Sequence, residues 1–364
     1  MMTRGRIVAG AALLLVFGAG PKGQAQEPAD LGAEAPAPPE PAPTWRFKLQ
    51  DRPVKVVVLA GSIGAWPKQP YAERIAKMCK HVEVKNLSKV GFGAFQLRQR
   101  FKQQVLERLG ALKQPGNEYW LVFQGGLNSV GTPERTNHDI REMFVLAHSR
   151  GFKVVGLSLT PWGDESDKRW AGVAGLKYLR ATTRVVDFVT GALTPAEALG
   201  EFAGRRAAGA DAAWQAEEQA DVAVDLYRSS LRAATAPVRD VEALTRKLEK
   251  DRGWQAAHAG LDVEARASLL RTEAAAAAEI PRWFLREELR SFDHIHPNAE
   301  GHRLIAEAAC PRLPASWGCE CPTLPAPPAP PAAAERPAPP NLLLLLYPPW
   351  LRVLLGWPEQ PVRR

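Results

Sequence analysis

The chain has 364 residues, 46% of them hydrophobic and 24% charged, and a formal net charge of +8. That balance belongs to a globular protein and excludes both a wholly disordered chain and a polytopic membrane protein. Of the 32 prolines, 15 fall in the stretches 28–43 and 322–340; removing both tails leaves roughly residues 53–312, about 260 positions, enough for one large α/β domain.

At the start, Arg4 and Arg6 precede the apolar run Ile7–Gly20, and Gly23-Gln24-Ala25 supplies the small residues of a cleavage site. Residues 1–25 therefore read as a secretory signal, because the apolar run is short for a membrane span. The segment holds Arg4, Arg6 and Lys22 and no acid, so its removal lowers the net charge from +8 to +5. The remaining basic residues are interspersed with acidic ones, unlike the concentrated stripe of a nucleic-acid binder, so no nucleic-acid partner is expected. Residues 26–52 are rich in Pro, Ala and Glu and read as an extended linker.

The pattern then changes. Val54–Ala60 is a β-branched apolar run bounded by Pro53 and Gly61, the signature of a buried strand. His81–Leu87 alternates and forms a second strand. Gln96–Lys113 spaces Leu97, Phe101, Val105, Leu109 and Leu112 as one helix, which Pro115-Gly116 stops. Tyr119–Phe123 is a third strand ending in Gln124-Gly125-Gly126; 136–150 is a helix stopped by Gly151; Lys153–Leu159 is a fourth strand. Strands alternating with helices across short connections imply a parallel sheet covered on both faces, a three-layer α/β/α body. In such sheets the ligand site lies beyond the carboxyl ends of the strands, which nominates Ser62, the Asn86–Gly93 loop, Gly125–Ser129 and Thr160–Asp164.

From about 164 to 290 the chain is rich in Ala, Arg and Glu, with helical periodicity in Val241–Lys250 and Ala265–Ala278. A helical insertion is expected over about 200–287, with Trp170, Trp214, Trp254 and Trp283 serving helical cores. The folded body is expected over 53–321, followed by a Pro-rich linker (322–340) and a hydrophobic tail (341–364). In that tail Pro348-Pro349 separates Leu342–Leu346 from Leu351–Trp357; neither run can span a bilayer, and the tail admits weak contact with a membrane or a partner. Cys79, Cys310, Cys319 and Cys321 make an even set, as in a disulfide-bonded exported chain. Cys319 and Cys321 are too close to bridge each other in relaxed geometry, so Cys79 is expected to bond into the C-terminal cluster.

Acyl transfer needs a nucleophilic hydroxyl, an imidazole to accept its proton, a carboxylate to orient the imidazole, and donors for the developing oxyanion. Ser62 follows the first strand in the Gly-flanked turn Gly61-Ser62-Ile63-Gly64. Far downstream, Asp293-His294-Ile295-His296-Pro297-Asn298 leads into a helix from about Pro297 to Ala308, with Asp293 and His296 three apart at its entrance. Of the other histidines, His294 is the competitor for the base position, His302 packs or caps, and His81, His138, His148 and His258 share no spacing. The Gly61–Gly64 turn lacks the Lys-Ser/Thr of a P-loop.

These segments, in this order, resemble the conserved blocks of the SGNH (GDSL-type) hydrolase superfamily. Ala60-Gly61-Ser62-Ile63 resembles the first block, Asn86-Leu87-Ser88-Lys89-Val90-Gly91 the second, Gly126-Leu127-Asn128-Ser129 the third, and Asp293 through Pro297, with Gly301-His302 beyond, the last. The resemblance implies a flavodoxin-like sheet, a catalytic Ser62–His296–Asp293 triad, and an oxyanion hole from the Ser62 and Gly91 backbone N–H groups and the Asn128 amide. It implies no metal or organic cofactor. Two positions depart from the family pattern: Gly61 and Ser129 stand where the family usually has Asp. The activity implied is exported, periplasmic or extracellular hydrolysis of short-chain or O-acetyl esters, on an acetylated glycan or cell-wall polymer. The rival reading is a non-catalytic carbohydrate- or envelope-binding protein on the same fold.

Overall fold

A computed structural model describes residues 45–163, 173–206, 213–233, 239–280 and 283–323. The expected signal, Asp164, Trp170, most of both linkers and the hydrophobic tail lie outside the described residues.

Five strands form the sheet: β1 (Val54–Ala60), β2 (Val82–Asn86), β3 (Glu118–Gln124), β4 (Lys153–Leu157) and β5 (Val222–Val224). Their spatial order is β2-β1-β3-β4-β5 and every pair is parallel. This is the flavodoxin-like order, with β1 and β3 flanking the point where the chain changes direction across the sheet. β1 is buried along its whole length, as expected of a central strand with a helical layer on each face. Its Val57 and Leu59 face one layer, and Val54, Val56 and Val58 face the other. Each such buried aliphatic side chain contributes about 1.5–3 kcal/mol relative to exposure.

The helices are α1 (Tyr71–Met78), α2 (Ala94–Gln104), α3 (Leu109–Leu112), α4 (Pro133–Ser149), α5 (Val173–Val189), α6 (Pro195–Leu199), α7 (Val241–Glu249), α8 (Arg252–Ala257), α9 (Val263–Ala278) and α10 (Ala299–Ala309). Residues of α1 and α10 share one apolar cluster with the β1 valines, Leu289 and Trp317. Residues of α2, α4, α5 and α7–α9 share the opposite cluster. The three-layer α/β/α architecture therefore stands.

Three expectations change. The helix expected over Gln96–Lys113 is broken: α2 ends at Gln104, a 3-10 turn covers Leu106–Arg108, and α3 follows. The break at β-branched Val105 leaves both Val105 and Leu112 buried, and the Tyr119 hydroxyl closes α3 by donating to the Leu112 carbonyl at 2.6 Å. Second, the end of the expected linker, 45–52, belongs to the folded body. Phe47 is buried against Trp45 and Tyr119, and the Glu83 carboxylate accepts from the Lys48 and Leu49 N–H groups while pairing with buried Lys55 at 3.1 Å. Removing Glu83 would strand the buried Lys55 ammonium, whereas without Lys55 the carboxylate still pairs with Lys85 at 3.0 Å. Third, the expected helical insertion contains β5, which extends the sheet beside β4. Its remaining helices α7, α8 and α9 start at aspartates, as capping predicts: Asp240, Asp251 and Asp262 each accept from backbone N–H groups of the first turn. Trp254 is buried among them, and Trp214 and Trp283 pack against the same cluster.

Two disulfides join Cys79 to Cys319 and Cys310 to Cys321. The first ties the end of α1 to the C-terminal edge of the body, beside backbone hydrogen bonds from Lys80 and His81 to Gly318 and Trp317. Among the described residues no helix is long and apolar enough to cross a membrane.

Candidate active site

The register of the sheet assembles the site. Ala60, the last residue of β1, lies opposite Gln124, the last of β3, so the turns after both strands emerge side by side at the carboxyl rim. The turn after β1 is tight, with the Ala65 N–H donating to the Gly61 carbonyl at 3.1 Å. A Cβ on Gly64 would stand 2.5 Å from the Ala60 Cβ and 2.6 Å from the Ser88 Oγ, so only glycine fits there. The loop after β2 is laced to this turn. Ser88 Oγ accepts from the Ala60 N–H at 3.0 Å, the Lys89 N–H donates to the Ala60 carbonyl at 2.9 Å, and the Asn86 amide donates to the Gly64 carbonyl at 2.8 Å.

The last segment arrives from the other end of the chain. Asp293 to Asn298 forms a closed loop: the Ser291 N–H donates to the His296 carbonyl at 2.8 Å and the Asn298 N–H to the Leu289 carbonyl at 2.8 Å. Asn298 caps α10, accepting from the Glu300 and Gly301 N–H groups at 3.0 Å each. His294 occupies the left-handed region at φ 63°, and its carbonyl accepts from the Gly163 N–H at 2.8 Å. That sharp reversal turns Asp293 and His296 toward each other.

The result is one line of contacts. Ser62 Oγ lies 2.7 Å from His296 Nε2, across 234 positions of sequence, and His296 Nδ1 bonds Asp293 Oδ2. The second Asp293 oxygen accepts from the Ile295 and His296 N–H groups at 3.0 Å and from the Ser291 hydroxyl at 2.9 Å. Half-burial alone would raise the Asp293 pKa, but these donors, the His296 ring foremost, outweigh it and hold the carboxyl well below the usual carboxylate range. His294 lies outside this line; its Nδ1 is 3.4 Å from an Arg290 guanidinium nitrogen.

The Asn128 amide reaches the turn after β1. Its Nδ2 donates to the Phe92 carbonyl at 3.1 Å and would lie 3.4 Å from a Cβ placed on Gly61. One Nδ2 hydrogen remains for another acceptor. The Ser62 and Gly91 N–H groups have no acceptor among the described residues. Gly91, at φ 80° on an exposed loop, needs the conformation that glycine provides. Phe92 rather than Gly91 lines the cleft beside Ser62, together with Ile63, Gln124, Leu127, Asn128 and Leu159. That cleft is a cavity of about 10 Å³, room for the centre of about one water.

The departures at Gly61 and Ser129 acquire physical content. Ser129 Oγ accepts from the Ala94 N–H at 3.1 Å and from the Thr136 hydroxyl at 2.9 Å, so a neutral hydroxyl joins the start of α2 to α4. At Gly61 a side chain would have to displace the Phe92 carbonyl, 3.2 Å from the Cβ position.

Two residues escaped sequence reasoning. Gln124 is buried in the cleft wall, with both amide atoms unpartnered among the described residues; its signal is a polar residue directly after the apolar run Tyr119–Phe123. Trp66 stacks on the His296 ring with centroids 5.7 Å apart; nothing in the sequence signals that contact.

No protein-family model matches the sequence, and no curated protein matches it. Several solved structures are similar to the chain. One is a GDSL-like lipase from Bacteroides thetaiotaomicron VPI-5482, at 14% identity, covering 69% of this chain and 83% of that one, with a TM-score of 0.38. Another is a member of the lipolytic protein G-D-S-L family from Veillonella parvula DSM 2008, at 12% identity over 70% and 96%, TM-score 0.37. A third is an acetyl xylan esterase, at 13% identity over 70% and 96%, TM-score 0.37. Likeness at this level carries no chemistry from one protein to another, so function has to be read from this chain's own side chains.

Proposed function

We propose that the chain is a serine esterase of the SGNH type that hydrolyses short acyl esters. The observation that carries this reading is the Ser62–His296–Asp293 line of contacts at the carboxyl rim of the sheet. Ser62 Oγ attacks the ester carbonyl while His296 Nε2 takes its proton, then delivers that proton to the leaving alcohol. A water activated by the same nitrogen attacks the acyl-serine, and the proton returns through His296 to Ser62. Asp293 stays ionised, fixes the tautomer with the proton on Nδ1, and offsets the imidazolium charge. The Ser62 and Gly91 N–H groups and the Asn128 amide hold the oxyanion, each donor being worth roughly 3–4 kcal/mol in the transition state. A short acyl group such as acetyl is the one we assign to the cleft lined by Ile63, Phe92, Leu127 and Leu159 beside Ser62. The signal-like N-terminus and the two disulfides support export, which makes an acetylated glycan or cell-wall polymer the natural ester.

Hydrolysis of a panel of acyl esters, acetylated glycans included, tests the reading with Ser62→Ala and His296→Ala as controls. Wild-type protein turns over short esters and labels with a fluorophosphonate. Both variants should lose about 10⁴-fold or more in kcat. A Ser62→Ala protein as active as wild type refutes the assignment.

A further inference from the structure

Behind His296 stands a column of rings that the esterase chemistry does not use. Trp66, four residues after Ser62, stacks on His296 at 5.7 Å with 24° between the planes. Its ring also meets that of His302 on α10 at 5.8 Å and 30°. His302 in turn stacks on Tyr71 of α1 at 6.2 Å and 21°. Tyr71 and His302 are both fully buried, and among the described residues neither the Tyr71 hydroxyl nor either His302 ring nitrogen has a hydrogen-bond partner.

We propose that Trp66 is a positioning residue for His296: its indole face, backed by His302 and Tyr71, holds the imidazole between Ser62 and Asp293 and favours the ring once it carries a proton. The proposal rests on the esterase reading above. Its physical basis is the ring quadrupole. An indole face attracts a cation, and the attraction strengthens as His296 passes from imidazole to imidazolium. That interaction is therefore stronger in the transition state than in the ground state, which is the condition for raising kcat.

The second histidine fits this arrangement because it is uncharged. Burial pushes the His302 pKa down to about 4, with the Arg74 and His296 charges acting in the same direction, so no second cation opposes the imidazolium across Trp66. The ionisable groups that face His296 are Asp293 on Nδ1, the Ser62 hydroxyl on Nε2, and His302 beyond the indole, with Arg74 of α1 acting on His302.

The test uses the full chain, p-nitrophenyl acetate, and the pair Trp66→Leu and Trp66→Phe. Leucine keeps apolar bulk without a π face, whereas phenylalanine keeps the face. Trp66→Leu should lower kcat about three- to tenfold with KM unchanged, and should move the acid limb of the kcat–pH profile about half a unit to one unit lower. Trp66→Phe should restore most of both. A folded Trp66→Leu with wild-type kcat and acid limb overturns the proposal, as does a change confined to KM or an equal loss in both variants. If Trp66→Leu does not fold, Trp66→Phe decides: an acid limb at its wild-type position with kcat lowered tenfold or more overturns the proposal, and near-wild-type values of both support it. Failure of the esterase reading looks different, since turnover would then survive Ser62→Ala and His296→Ala.

Discussion

His302 should make the stability of this protein depend on pH in a way that one substitution removes. The side chain is fully buried, its ring nitrogens are unpartnered among the described residues, and desolvation lowers its pKa from 6.5 to about 4. A histidine depressed in this way is neutral in both states above about pH 6.5, where the native state keeps its full stability. As pH falls from there toward 4, the unfolded chain binds a proton that the folded chain refuses, and stability drops. The slope approaches 1.36 kcal/mol per pH unit, so the loss totals about 3 kcal/mol by pH 4 and then levels off. His302→Phe keeps a ring between Trp66 and Tyr71 but cannot titrate. Urea unfolding of wild type and variant at intervals between pH 7.5 and pH 4 isolates the effect, because Asp293 and the other carboxylates titrate in both proteins. The stability difference should swing in favour of the variant by about 3 kcal/mol across that range. Parallel curves would refute the reasoning, since they would require His302 to accept a proton inside the fold as readily as outside it.

Asn128→Ala removes the amide that reaches the turn after β1 and, on the proposed mechanism, should cost about 10²–10³ in kcat with little change in KM, read from steady-state ester hydrolysis. Breaking the Cys79–Cys319 bond with a Cys79→Ala/Cys319→Ala pair should cost about 2–5 kcal/mol, because it closes a sequence separation of 240 residues. The shift in urea midpoint measures that loss, and a reductant, which also opens Cys310–Cys321, should shift the wild type by at least as much.

The elements read correctly from sequence were those whose pattern is local. Val54–Ala60 is a strand because a β-branched run between Pro53 and Gly61 has no other economical burial, and the structure places its limits there. Helix α4 follows from apolar side chains that repeat at helical spacing, and α9 from the Asp262 cap and a run of strong helix formers, alanine above all. β5 was illegible because three residues in an Ala-rich region are too few to show a period; it is a strand because β4 offers it an open edge. Trp45 and Phe47 sat in proline-rich surroundings, and only the Glu83 carboxylate, reaching back from β2, reveals why that segment folds onto the body.

The site divides in the same way. Residue type and position point to Ser62, in a Gly-flanked turn, and to Asp293 and His296, at a helix entrance, whereas Asn128 follows only from the resemblance of its segment to an SGNH block. Distance was beyond sequence. That Ser62 and His296 meet at 2.7 Å, that Cys79 takes Cys319 rather than Cys310 or Cys321, and that Trp66, His302 and Tyr71 stack behind the imidazole are outcomes of packing α1 and α10 against one face of the sheet. Local patterns depend on neighbours within about one turn or one pleat and are written in the chain itself. Contacts across a hundred residues or more depend on how whole layers settle together, and only the folded molecule holds that information.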